Sequence, residues 1–396
     1  MKIQSFKFSN NKENWHIEEV KFENLNLLVG GSGVGKTRIL RALHLICNVA
    51  KGRNRNIDDL EWSINFSHLE QDYRWELKSS STKKEEIFSD VNESKQTEIV
   101  YEKLVRYDGD SELEILLRTH LESKFNNEKL PKLKRTESAI NLLSEEDLII
   151  PVRKAFKRLI FNFETAESQR FMLANDYDDL TTIINELQEI TNNSKFKNGL
   201  KEITNNSSFK EVVAGALPVI KAFWLQESFP DDFNEIKEYY INIFPQVNNV
   251  RVTSEKCLNG NVLVFFEIEE VGLEWIPQKQ ISSGMFRTLI FLVQVISAPK
   301  ESVILIDEFE NSLGINCMAE VTDFILDKSP DVQFILTSHH PYIINNIPWK
   351  TWQIVSKSGN KVKVRKASDI PALDTASSLD KFTQLINLLD SEEFSA

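Results

Sequence analysis

Four short stretches of this chain hold residue types that could do chemistry, and their order matters as much as their content. The first is Gly30-Gly31-Ser32-Gly33-Val34-Gly35-Lys36-Thr37, which fits G-x-x-x-x-G-K-[ST]. It lies between an apolar run, Leu25–Val29, and a helical stripe that begins at Thr37. Glycines there let the backbone wrap an anion closely and aim N–H groups at phosphate oxygens, helped by the positive end of a helix dipole. Lys36 would reach the β- and γ-phosphates, and the Thr37 hydroxyl would ligate Mg2+. The expected ligand is therefore a nucleoside triphosphate with Mg2+. The loop alone does not separate a GTPase, a kinase and an ATPase.

The second stretch, Val303-Ile304-Leu305-Ile306-Asp307-Glu308, is an apolar strand that ends in two carboxylates. Aimed at the loop, Asp307 would hold Mg2+ directly or through water, and Glu308 would orient or deprotonate an attacking water. A carboxylate in that second position implies hydrolysis as well as binding. The third stretch runs from Gln280 to Leu289, where Ser282, Ser283 and Gly284 open a helix with unpaired N–H groups. Alone it reads as a capped helix. The fourth is Thr337-Ser338-His339-His340-Pro341, directly after an apolar strand, where His339 could reach the γ-phosphate and where a structural cap is the plainer reading.

The elements that must position these groups can be read from periodicity. Ile3, Phe6 and Phe8, then Ile17–Phe22 and Leu25–Val29, read as strands, and Ile39, Leu40, Leu43, Ile46 and Val49 mark one face of a helix that Gly52 would stop. Trp62–Phe66, Tyr73–Leu77 and Ile99–Tyr107 read as antiparallel strands. From about Leu130 to Phe244 the pattern is helical, with stripes over Leu180–Ile190 and Val212–Trp224 and a duplicated segment, EITNNSKFK at Glu189–Lys197 and EITNNSSFK at Glu202–Lys210. Two such copies do not make a solenoid. From Val262 onward strands and helices alternate (strands Val262–Ile268, Val303–Ile306, Val332–Leu336), which indicates a mostly parallel sheet covered by helices. Thr351–Val355 then turns through Gly359-Asn360 into Lys361–Lys366, and a helix covers about Ser377–Leu389.

Composition excludes several classes. The chain has 396 residues, a net charge of −12, and 25 Phe, 7 Tyr and 7 Trp, which is too aromatic for a disordered chain and too acidic for one coated with nucleic-acid contacts. Its longest apolar run, Leu289–Ile296, is broken by Gln294 and is too short to span a bilayer. Three scattered cysteines, Cys47, Cys257 and Cys317, form no disulfide scaffold or cysteine-built zinc site. With no apolar leader at the N-terminus, a cytoplasmic protein without membrane association is expected.

The order of phosphate loop, Ser-Ser-Gly helix, strand-Asp-Glu and strand-His resembles the ABC-type ATPases, and more specifically the heads of the SMC, RecF and OLD-like group. The resemblance covers about residues 1–50 and 255–345. It implies an α/β ABC-ATPase head, with a mostly parallel sheet and an antiparallel β-subdomain, interrupted by a mainly helical insertion. The corresponding division is residues 1–125 and 250–396 for the head and 126–249 for the insertion. ATP and Mg2+ are the implied cofactors. Gly30 to Thr37 with Ser282, Ser283 and Gly284 would bind ATP, the serine group acting across a dimer. Thr37 and Asp307 would hold the metal, Glu308 and His339 would be catalytic, and Asn311–Gly314 would be the D-loop.

This chain departs from the transporter pattern at three points. Met285 replaces the polar end of the signature, Gly314 stands where the D-loop carries Asp, and no stretch reads plainly as a Q-loop, Gln71 and Gln96 being possible positions. Trp15 could stack on adenine or belong to the core. Heptads are missing, so no long coiled coil fills the gap, and the stretch after His339 is too short for a TOPRIM nuclease. A homodimer or larger homo-oligomer is expected, acting as sensor or scaffold of a separate effector (nuclease or toxin) in bacterial anti-phage defence. The alternatives are a RecF- or SMC-like DNA-binding ATPase, or the nucleotide-binding subunit of a transporter. DNA could meet the basic segments Lys129–Arg135, Arg153–Arg158 and Lys361–Lys366, although solvated helix faces and a charged edge strand are the plainer reading of each.

Overall fold

Leu25–Val29 is buried at every position, as an interior strand of a sheet paired on both sides must be. A computed structural model of the chain describes residues 1–53, 56–83, 95–109, 111–162, 210, 216–256, 262–311, 317–374 and 377–390. The chain divides into two compact units. The first comprises Met1–Phe161, Glu301–Phe309 and Ser329–Ala396, and the second Asn162–Lys300 and Glu310–Lys328. The duplicated segment, apart from Lys210, and the stripe over Leu180–Ile190 lie outside the described residues, as do Cys257 and residues 312–314 of the D-loop.

The first unit is built on one large mixed sheet. Its parallel portion consists of β3 (Leu25–Val29), β14 (Val303–Ile306), β15 (Gln333–Thr337) and β16 (Trp352–Ser358), side by side in the order β14-β15-β3-β16. Next to β16 comes β17 (Lys361–Lys366), joined to it as an antiparallel hairpin, and then β2 (Trp15–Lys21), β1 (Lys2–Asn10), β4 (Leu60–His68), β5 (Gln71–Lys83), β6 (Lys95–Asp108), β7 (Ser111–Arg118) and the short β8 (Ser123–Phe125) and β9 (Glu128–Lys129), while β10 (Leu159–Asn162) flanks β14. From β2 to β7 every pairing is antiparallel. The α/β class holds, and the antiparallel strands continue the same sheet. Lys361–Lys366 is not an edge strand: β17 pairs with β16 on one side and β2 on the other. Its Val362 and Val364 face the core, so the basic residues are the alternate positions of an interior strand.

Two helices press on the core face of this sheet. The helix after the phosphate loop, α1 (Lys36–Ala50), buries Ile39, Leu40, Leu43, Ile46 and Val49, the stripe read from the sequence. Further along, after the one-turn α2 (Ala139–Leu142), α3 (Ile150–Lys157) inserts Phe156 between Phe66 and Trp75, with ring centroids at 5.1 and 5.4 Å in edge-on geometry. Trp75 also meets Trp62 edge-on at 5.3 Å, so a continuous aromatic layer joins helix and sheet.

The second unit contains α4 (Pro218–Ser228), α5 (Pro230–Ile243), α6 (Ser283–Ile296), α7 (Met318–Lys328) and a separate sheet of β11 (Val247–Lys256), β12 (Val262–Glu270) and β13 (Trp275–Pro277). Here the reading of Val262–Ile268 as part of the parallel sheet is corrected, because β12 pairs antiparallel with β11 and β13 and with no strand of the large sheet. An apolar run satisfies either setting; the partner that decides is the preceding strand, brought alongside as a hairpin. On the other side of β11 the Gln226 amide bonds both the N–H and the C=O of Val252, at 2.9 and 3.0 Å, in place of a further strand. α5 and α7 are held by Tyr239, stacked edge-on against Phe324 and hydrogen-bonded to Asp327, and by the Lys328–Glu235 ion pair at 2.7 Å. Among the described residues no helix is long and apolar enough to cross a membrane.

Within this unit Lys221 is buried on α4 with only 2% of its surface exposed, and no hydrogen bond or ion pair of its ammonium is found among the described residues. Burial pushes its pKa down to about 8. An unfolded chain keeps the same lysine protonated to about pH 10.4. Between these values the unfolded state binds more protons than the folded one, so stability rises with pH; at and below about pH 8 the full penalty is present. Lys221→Met is expected to raise the unfolding free energy at pH 7 by about 2–3 kcal/mol and to flatten the rise between about pH 8 and pH 10. Urea titrations at several pH values read both effects, and unchanged midpoints would contradict the assignment.

Candidate nucleotide site

Because β14, β15 and β3 are parallel and adjacent, their C-terminal ends share one edge of the sheet, the edge at which α/β proteins hold ligands. The phosphate loop leaves β3 there, Asp307 and Glu308 follow β14, and Thr337 ends β15 with His339 two positions later. All belong to the first unit. The loop's local geometry follows from its glycines. A Cβ on Gly30 would lie 2.4 Å from the Val355 carbonyl oxygen of β16, so only glycine lets the loop pass that close to the strand. Gly35, the N-cap of α1, has φ 112°, and a Cβ there would come within 2.8 Å of Val362 Cγ2. Val34 is buried and anchors the loop from below, while Gly31, Ser32 and Gly33 are exposed.

The charged groups are drawn into this cradle. Lys36 is buried, and its Nζ donates to the carbonyls of Gly30 and Gly31 at 2.8 and 2.9 Å, holding the loop around its own ammonium. The Thr37 hydroxyl donates to Asp307 Oδ1 at 3.1 Å, bringing together residues 270 positions apart. The Thr337 hydroxyl donates to the same oxygen at 2.8 Å and accepts the Glu308 N–H at 2.7 Å. Glu308 has φ 49°, the left-handed region, and its side chain is exposed. These donors suit Mg2+, a hard cation that takes oxygen ligands and keeps several waters. One hydroxyl and one carboxylate converge, and among the described residues no group of three or more His, Cys, Asp or Glu could hold a metal by itself. Thr37 and Asp307 would hold the ion together with nucleotide phosphates.

The two adjacent histidines separate in role. His340 is the N-cap of α8 (Pro341–Asn346), its Nδ1 accepting the Tyr342 N–H at 3.2 Å, so the capping function falls on His340. His339 is exposed at the sheet edge. Gln71 pairs with His68 at the far end of β4 and β5, and His68 contacts Glu301, just before β14 begins. That is the sheet end opposite the phosphate loop, which removes Gln71 as a Q-loop; the side chain of Gln96 lies outside the described residues. Phe8 stacks on the Trp15 ring at 5.3 Å and the Arg38 guanidinium lies 5.2 Å from its centroid, so this tryptophan packs within the protein.

Ser282, Ser283 and Gly284 lie in the second unit at the start of α6. Ser282 is the N-cap, its hydroxyl accepting the Met285 N–H at 3.4 Å, and both serines are exposed. Several residues of the basic segments are engaged with acids and carbonyls. Lys134 pairs with Glu137, Arg158 with Glu301, Lys363 with Glu18 and Lys366 with Glu23, and Arg135 donates to the His120 carbonyl. The residue that sequence reasoning passed over is Thr337. Its place as the last position of a buried strand beside the acidic pair was the available signal.

Gly35→Ala is expected to lower affinity for a fluorescent ATP analogue at least about tenfold, since a strained φ alone costs about 1–3 kcal/mol, and to lower the melting temperature. Gly31→Ala, whose Cβ would make only an ordinary 3.7 Å contact with Val34, should leave the melting temperature unchanged.

A family model described as "AAA domain, putative AbiEii toxin, Type IV TA system" matches residues 25–345. Two solved structures are similar at 13% identity. One is the Smc head bound to the C-winged helix domain of ScpA, with a TM-score of 0.47 over 92% of this chain and 97% of that one. The other, from Pyrococcus furiosus, is an Smc head with an extended coiled coil bound to the C-terminal domain of ScpA, with a TM-score of 0.46 over 98% of this chain and all of that one. No curated protein matches the sequence. The family match takes in the phosphate loop, the serine-glycine helix start, the acidic pair and His339, and most of the chain: this protein belongs to that AAA-domain family of P-loop ATPases.

Proposed function

We propose that this protein is a Mg2+-dependent ATP-hydrolysing head that dimerises around two ATP molecules and regulates a separate effector in cytoplasmic anti-phage defence. The observation that carries the hydrolytic reading is the hydrogen bond between Thr37 and Asp307, which joins the phosphate loop to the end of β14 with Glu308 next in the chain. Residues 1–125 and 250–396 serve as the head in this reading, and 126–249 as its insertion. The defence context is supported by the toxin–antitoxin description of the family.

The chemistry assigned to the residues follows their places. The N–H groups of Gly31 to Thr37 and the Lys36 ammonium bind the β- and γ-phosphates, Lys36 exchanging its two loop carbonyls for phosphate oxygens. Mg2+ bound at Thr37 and Asp307 supplies charge neutralisation. The exposed Glu308 carboxylate takes a proton from the attacking water, and His339 holds a γ-phosphate oxygen through its imidazole. Ser282, Ser283 and Gly284 of a second copy supply the hydroxyl and N–H groups of a helix start to the same phosphate. Protein dimerisation thereby becomes dependent on ATP.

Glu308→Gln keeps the shape of the side chain and removes the base. ATP affinity should stay within about threefold while turnover falls at least about a hundredfold, the usual worth of a positioned general base. The same variant should accumulate as an ATP-bound dimer in mass photometry. Ser282→Arg should abolish both dimer and turnover and leave ATP binding intact. Turnover unchanged in Glu308→Gln would refute the hydrolytic assignment, and an ATP-independent oligomer would refute the sandwich.

A further inference from the structure

The acidic pair does not hold itself in place. Glu308 sits at φ 49°, a conformation that L residues other than Asn and Asp seldom adopt and that persists where surrounding structure imposes it. Two of the hydrogen bonds that hold it come from one neighbouring residue. The Glu308 N–H is accepted by the Thr337 hydroxyl at 2.7 Å, and the Phe309 N–H by the Thr337 carbonyl at 2.9 Å. The same hydroxyl spends its proton on Asp307 Oδ1 at 2.8 Å. A single residue, buried at the end of β15, thus clamps the turn at two successive N–H groups, one through its hydroxyl and one through its carbonyl, and its hydroxyl orients the carboxylate before it.

We propose that Thr337 is the positioning residue of this site: it fixes the left-handed turn that presents Glu308 and aims Asp307 toward Thr37. This rests on the hydrolytic reading above for its catalytic consequence, and on the hydrogen bonds alone for its structural one. Thr37 also donates to Asp307 Oδ1, so that oxygen receives two hydroxyls, one on each side. When Thr37 turns its oxygen to a metal, the bond from Thr337 is the one that keeps Asp307 in orientation. Position 337 needs a hydroxyl because one group must both donate and accept. Valine offers the same shape and neither capacity, leaving the Glu308 N–H unpaired beside a carboxylate that has lost a donor.

The test uses the full-length chain and two variants, Thr337→Val and Thr337→Ser. Hydrogen exchange in nucleotide-free protein reads the Glu308 amide directly. Thr337→Val should speed its exchange at least about tenfold, the equivalent of one hydrogen bond, while Thr337→Ser keeps it slow. With ATP, Thr337→Val should lower kcat at least about tenfold and raise the Mg2+ concentration needed for half-maximal turnover, with nucleotide affinity in the absence of Mg2+ within about threefold of the parent; serine should restore turnover to within about threefold. Exchange at Glu308 that is the same in Thr337→Val as in the parent overturns the proposal. So does a serine variant as impaired as the valine one, since that would make the methyl group and not the hydroxyl the cause. A parent protein that binds ATP and never turns it over defeats the hydrolytic reading, and in that event the exchange comparison still decides the role of Thr337.

Discussion

Three parallel strands that finish at one edge are the constraint on which the rest of this molecule depends. β14, β15 and β3 must lie in one register for Asp307 to meet both Thr37 and Thr337. That register is set at the opposite end by buried amides. Gln333 accepts the Ile3 N–H and donates to the carbonyls of Ile3 and Glu23, at 2.7–2.8 Å. Asn26 accepts the Glu23 N–H and donates to the carbonyls of Glu23 and Phe334, and Gln353 reaches across to Lys21. Each of these groups is almost wholly buried, where an unmade hydrogen bond costs about 1–3 kcal/mol. A slip of one residue would orphan several at once and turn every buried side chain to the wrong face. Apolar strands pair promiscuously; these amides make one pairing preferable.

Strain and tight approach are concentrated at the other end of the same strands. Gly30 and Gly35 bring the loop against β16 and β17 where no side chain fits, and Glu308 holds a left-handed turn. Such positions are costly, and they persist here because the strands beneath are packed on both faces. The resulting edge is rigid in its backbone and polar in its side chains, while Glu308 and His339 remain exposed. That combination suits a site whose ligand must be gripped by main-chain N–H groups and then acted on by groups open to water. The second unit carries the serine-glycine helix start on α6, most of whose other side chains are buried, so the exposed end of that helix is what it has to offer a ligand.

The parts of this site that were legible in the sequence are those whose geometry is local. The phosphate loop needs only a buried strand, glycines and a helix start within a short span, and each leaves its own signature. The strand before Asp307 and the stripe of α1 were equally plain. Other features were not legible because the deciding partner is far away in the chain. Val262–Ile268 has the same apolar run as a parallel strand, and its neighbour β11 is what places it in a separate antiparallel sheet. Lys361–Lys366 looks like a charged edge, and only its pairing with β2, over three hundred positions earlier, shows it to be interior. Gln71 could serve as a Q-loop on residue type alone, and the sheet carries it to the wrong end. Of two adjacent histidines, the hydrogen bond to Tyr342 shows that His340 is the cap.

What this protein's sequence determined by itself is the set of chemical groups and the local frames that present them: a glycine cradle at a helix start, a carboxylate pair after a strand, a serine-glycine helix opening, and a histidine after a strand. Those follow from φ preferences, helix dipoles and side-chain periodicity, all acting over a few residues. What only the tertiary structure decided is which groups meet. Thr37, Asp307 and Thr337 come within hydrogen-bonding distance because parallel pairing brings the ends of β3, β14 and β15 to one edge. Pairing between distant strands is a long-range choice among many apolar runs of similar character. It is settled by buried polar groups that can all be satisfied in one arrangement, and no window of sequence contains both halves of that bargain.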